Sequence, residues 1–166
     1  MRKLYSVVAA LCLAMAVAAG PASAGGNPHF IKNASGASLS GSNLVCNFKE
    51  TGLASGSVEN VTCNALATTT YECVNGGGHN PSASNKTTTA TQVSKTEPFT
   101  ADKNGNIVGS ITLSPPTAAQ LGFSCPPGQT TTFVGVTYSN VSLTDNTSGA
   151  TLALPGSYSY TNPSAP

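Results

Sequence analysis

A chain of 166 residues with 8% charged side chains, no tryptophan and a formal net charge of +1 cannot assemble the basic surface that nucleic acid requires. Arg2 and Lys3 supply two of its seven basic residues; without them five lysines oppose six acids, a balance of −1 that gives no pull toward anionic membranes either.

The first segment reads as an export signal. Arg2-Lys3 form a short positive start, Tyr5 to Ala19 is nearly unbroken apolar chain, and Ala22-Ser23-Ala24 is a small-residue cleavage site. The apolar run falls short of the ~20 residues a membrane span needs. Residues 1–24 are therefore expected to leave as a signal peptide, and no second hydrophobic segment follows. The remaining residues, 25–166, number 166 less 24, or 142, which suits a single domain with loose ends and a real core.

Residues 25–42 open loosely, with Phe30-Ile31 as the strong apolar pair and a short edge strand expected near His29–Asn33. His29 follows Gly25-Gly-Asn-Pro, so a terminal amine and its imidazole cannot chelate copper together. Asn43 to Thr51 alternates, with Leu44, Cys46 and Phe48 on one face. Gly52 to Gly56 reads as a turn. From Val61 the odd positions are Val61, Cys63, Ala65, Ala67, Thr69, Tyr71 and Cys73, a period of two that marks a long strand. Folding this strand back on the previous one as a hairpin sets Cys46 opposite Cys63, Phe48 opposite Val61 and Leu44 opposite Ala65, all on inward faces.

The long strand should end at Val74. Asn75, Gly76, Gly77, Gly78, His79 and Asn80 then form a glycine loop whose amides and imidazole make a candidate ligand cradle; the plainer reading is a connector capped by its own Asn side chains. Thr87 to Ser94 is a threonine-rich strand, Pro98-Phe99 marks its edge, and Asn104-Gly105 reads as a hairpin turn. Ile107 to Leu113 alternates again. Thr117 to Leu121 allows one helical turn at most. Cys125, Pro126, Pro127 and Gly128 make a rigid loop. In Phe133 to Leu143, Val134, Val136 and Tyr138 share one parity and Val141 and Leu143 the other, so a bulge is expected near Ser139-Asn140. Thr151–Leu154 is a further strand, and the tail carries Tyr158 and Tyr160. Short strands joined by Gly, Pro and Asn turns predict an all-β, immunoglobulin-like two-sheet sandwich of about seven or eight strands, with a closed β-barrel as the alternative.

Cys12 leaves with the signal, so Cys46, Cys63, Cys73 and Cys125 imply two disulfides. Cys63 and Cys73 lie ten residues apart on one strand, ~33 Å at ~3.3 Å per residue, which excludes their pairing. The hairpin register favours Cys46–Cys63, leaving Cys73–Cys125. By loop length the second bridge is expected to stabilise more than the first.

Tyr71-Glu-Cys73-Val-Asn75-Gly-Gly-Gly-His-Asn-Pro81-Ser-Ala-Ser-Asn85-Lys86, with Cys125-Pro-Pro-Gly-Gln129 and Val136 to Asp145, resembles a group of small, uncharacterised exported proteins of actinobacteria. The resemblance spans most of the chain after the signal. It implies secretion, a β-rich fold and the Cys73–Cys125 bridge, with Cys46 and Cys63 as an addition; it implies no activity.

No Gly-x-Ser-x-Gly elbow, zinc spacing or evident carboxylate pair is present. No catalytic residue, metal ligand or cofactor is assigned. The expected function is that of an exported, non-enzymatic module, secreted or associated with the cell envelope, whose partner is an extracellular protein or a glycan. A secreted inhibitor presenting Cys125 to Gly128, and a small hydrolase, are the alternatives. Sequons stand at Asn33, Asn60, Asn85, Asn140 and Asn146.

Overall fold

The computed structural model describes residues 26–76 and 85–165. They form nine strands in two antiparallel sheets. The first sheet holds β1 (His29–Phe30), β2 (Gly36–Ser40), β3 (Asn43–Thr51) and β6 (Ile107–Leu113). The second holds β4 (Val58–Asn75), β5 (Lys86–Thr100), β7 (Gln129–Asp145), β8 (Thr151–Leu154) and β9 (Tyr158–Thr161). β3 is the spine of the first sheet, with β6 along one side and β1 and β2 along the other. β4 is the spine of the second, between β5 and β7; β8 and β9 pair with the far side of β7. Both sheets are open, so the fold is a sandwich and not a closed barrel.

Period-two patterning places the core. Leu44, Cys46 and Phe48 of β3 face Val61, Cys63, Ala65 and Ala67 of β4, all buried. Ile107, Ile111 and Leu113 of β6 and Val136, Tyr138, Val141 and Leu143 of β7 close the layer. The change of parity in β7 is a bulge: Asn64 pairs with Ser142 but Leu66 with Ser139, and Asn140 takes φ 52°. A second irregularity falls where Thr70 pairs with Gly135 and Tyr71 with Phe133.

The expected hairpin between β3 and β4 is not formed. Leu44 pairs with Leu39 and Leu113, and Phe48 with Gly109. Val61 pairs with Glu97 and Asp145, and Ala65 with Val93. At Leu53, a buried apolar residue inside the turn, the chain crosses the core into the other sheet. The Asn104-Gly105 turn does likewise, carrying the chain from β5 back to β6. The two crossovers bond to each other, Leu53 N–H to Gly105 O at 3.1 Å and Gly56 N–H to Ala101 O at 3.1 Å. The Cys46–Cys63 bridge exists, with Cα atoms 6.4 Å apart, but it joins the sheets across the core instead of neighbouring strands within one.

β5 continues to Thr100, through Pro98, because it pairs with β4 alone; a proline without an N–H is tolerated on an edge strand. β2, within the segment expected to be loose, is paired along its whole length with β3.

Candidate binding surface at the disulfide-tied end

β4 has 18 residues and β3 has 9, so the second sheet runs well past the first. The inner face of this overhang carries Thr69, Tyr71 and Cys73, and the segment from Ser114 to Gly128 covers it. Pro115-Pro116 ends β6 extension. Thr117 N–H then donates to Gln120 Oε1 at 2.8 Å, while Gln120 N–H donates to Thr117 Oγ1 at 3.3 Å. This reciprocal pair is a capping box, and it holds the single turn closed by Leu121 N–H to Thr117 O. Tyr71 Oη donates to Pro116 O at 2.9 Å, and burial pushes that phenol above its ordinary pKa. Phe123 packs on Tyr71 at 6.3 Å between centroids, Tyr71 on Phe133 at 5.5 Å, and Phe133 stacks on Tyr160 at 6.2 Å. Four half-buried rings thus floor the overhang, and Tyr160 belongs to the core edge.

The Cys73–Cys125 bridge pins the end of this segment, with Cα atoms 5.5 Å apart. Pro126, Pro127 and Gly128 are exposed. Gln129 N–H bonds to Pro126 O at 3.2 Å and Gly128 has φ 84°, so Pro127 and Gly128 occupy the central positions of a type II turn. Gln129 pairs with Asn75. The first residue of the glycine loop therefore lies beside the proline turn at one end of the sandwich. Of the glycine loop, Asn75 and Gly76 are exposed beside the proline turn, whereas Gly77, Gly78, His79 and Asn80 lie outside the described residues.

Acidic residues converge at the opposite end, which the sequence reading did not foresee. Glu50 and Asp145 are fully buried, close enough for the charge of Asp145 to act on Glu50, and Glu59 is 4% exposed. The signal was legible: Glu50 continues the parity of Leu44, Cys46 and Phe48, and Asp145 that of Val141 and Leu143. Neither carboxyl of the pair reaches solvent, so it has no access to a substrate. Among the described residues no group of three or more His, Cys, Asp or Glu could hold a metal ion. His29 is exposed, its Nδ1 2.8 Å from Asn27 O.

The open sides of the sandwich form two grooves. One, of about 700 Å³, runs between the edge of β5 at Thr91–Lys95 and the segment Thr112–Thr117. The other, of about 480 Å³, lies between β2 and β8 and is floored by Leu152, Leu154 and Tyr158. No helix among the described residues is long and apolar enough to cross a membrane.

No protein-family model, curated protein sequence or solved structure matches the chain.

Proposed function

We propose that the chain is an exported, non-enzymatic β-sandwich that acts outside the cell as a binding or envelope-associated module, and that it contacts its partner through the end carrying Cys125 to Gly128. The N-terminal export pattern and the resemblance to exported actinobacterial proteins support the compartment, as do two disulfides, which persist in oxidising surroundings. The observation that carries the reading is the overhang. Half of β4 extends beyond the first sheet, and that extension holds up an exposed proline turn fixed by a disulfide and a capping box. Loops at one end of an immunoglobulin-like sandwich are where such folds place recognition. A turn ordered before binding loses little entropy on binding.

The same rigidity favours a second reading, a secreted inhibitor that offers Pro126-Pro127-Gly128 to an extracellular enzyme. Capture on cell-wall glycans and on secreted proteases separates the two. Recovered binding should be lost in a Pro126→Ser, Pro127→Ser double variant that keeps the wild-type unfolding transition. Turnover of esters, glycans or peptides by the purified protein overturns both readings.

A further inference from the structure

Glu50 closes β3 in the first sheet and Asp145 closes β7 in the second. Each has one carboxylate oxygen held by a donor. Ser148 Oγ donates to Glu50 Oε1 at 3.2 Å, and the Thr147 N–H donates to Asp145 Oδ1 at 2.8 Å. The other oxygens, Glu50 Oε2 and Asp145 Oδ2, are buried and receive no donor. Two ionised carboxylates at such depth would repel each other without solvent to screen them.

Among the described residues the surroundings offer no cation. In the first sheet Glu50 lies between Phe30 of β1 and Ile107 of β6. From β4 comes Glu59, whose Oε1 accepts from Ser57 Oγ at 2.5 Å and whose Oε2 is also without a donor. The turn between β7 and β8 contributes Thr147 and Ser148. The charges that act on Glu50 are those of Asp145 and Glu59. Neighbouring His29 is exposed and bonded to Asn27 O, and Lys49 acts on Asp102.

We propose that Glu50 and Asp145 share one proton across the two sheets, so that this end of the sandwich is a clasp, shut in acid and loosened in mild alkali. The loosening is local. Cys46 precedes Glu50 by four residues, and Cys63 pairs with Leu143, two residues before Asp145, so the Cys46–Cys63 bridge holds the sheets together just inside the clasp. Burial first, and then the charge of Asp145, push the Glu50 carboxyl up to about 7 from an ordinary 4.5. Because the folded value is the higher, the folded state keeps a proton that the unfolded chain gives up. The stability this brings is full below about 4.5 and is lost as pH rises through about 7.

Urea unfolding of the wild-type chain and of Glu50→Gln, each at pH 5 and pH 8, tests this. The wild-type unfolding constant should rise on the order of tenfold to a hundredfold between the two. Glu50→Gln, whose amide can donate to Asp145 at either pH, should change by no more than about twofold. Asp145→Asn, which keeps the Oδ1 acceptor for Thr147, is the second variant and should also flatten the slope. Hydrogen exchange at pH 8, corrected for intrinsic rates, should quicken at the amides of Asn146 and Gly149 but not at Thr69 to Cys73. An equal pH slope in the wild type and in either variant that folds overturns the proposal. So does a rise in the wild-type midpoint at pH 8 on adding calcium, which would put a cation where the proton is placed.

Discussion

Gly109 sits on the inward face of β6, directly opposite Phe48 in the register of the first sheet. Phe48 is the hub of the aromatic core, edge-on to Phe30 at 5.7 Å and to Phe99 at 5.0 Å. Phe99 arrives from β5, in the other sheet. A Cβ on residue 109 would stand 2.6 Å from the Phe99 ring and 2.8 Å from that of Phe48. Phe48 is fully buried, so its ring cannot yield cheaply. Gly109→Ala is expected to destabilise the fold by about 1–3 kcal/mol, the usual range for overpacking, read as a lower urea midpoint with an unchanged m-value. Tyr138 shows how a polar atom is accommodated in the same core. Its ring is fully buried, its Oη donates to Ser42 O at 2.9 Å, and burial pushes its phenol up to about 12.

At the scale of elements, β7 shows what a single residue does to a strand. Asn140 is the one non-glycine residue with positive φ among those described, and it forms the bulge that turns Val141 and Leu143 inward. Asparagine tolerates this conformation; a β-branched residue does not. Asn140→Val should cost about 1–2 kcal/mol, while Asn140→Gly should stay near wild type. Paired thermal melts of the two decide it. The opposed parities of Val136 and Val141 made the bulge readable from sequence, because each strand half had to keep a buried face. Sheet membership was not readable in the same way. Inward parity brings Cys46 and Cys63 face to face whether their strands are neighbours or lie across a core, and only Leu53 hinted at the crossing. β2 escaped notice since Gly36-Ala-Ser-Leu-Ser40 buries little, and its place is set by backbone pairing with β3. The buried acids were missed because a carboxylate at an inward position was counted by charge and not by parity. The proline turn was legible as rigid, but its position beside Asn75 depended on the register of β4 with β7.

At the scale of the whole molecule, the two disulfides have different tasks, and the ranking by loop length alone changes. Loops of 17 and 52 residues correspond to about 3 and about 4 kcal/mol in the chain-entropy model. Cys46 and Cys63, however, are both fully buried between the sheets, so removing them also leaves a cavity in the core. Cys73–Cys125 ties down a covering segment at the edge of the overhang. The Cys46→Ala, Cys63→Ala double variant should therefore lose at least as much global stability as the Cys73→Ala, Cys125→Ala one. The latter should instead show early proteolytic cleavage between Ser114 and Gly128 with the sandwich still folded. Limited proteolysis alongside urea titration reads both, and a larger global loss in the Cys73, Cys125 variant would contradict the assignment.

The two disulfide loops follow one another along the chain without overlap, and that has a mechanical consequence. If this module is held at its ends and pulled, tension bypasses everything enclosed between Cys46 and Cys63 and between Cys73 and Cys125. At about 3.5 Å per residue, the enclosed 17 and 52 residues hide roughly 240 Å of contour length. The second half of β3, the first third of β4 and the whole of β5 and β6 stay off the load path. The load falls on β1, β2 and the start of β3 on one side, on Asn64–Glu72 of β4 between the bridges, and on β7 to β9 on the other. Under strain the molecule gives way at its margins by a short, bounded extension, and reduction of the two bonds would turn that short tether into a long one.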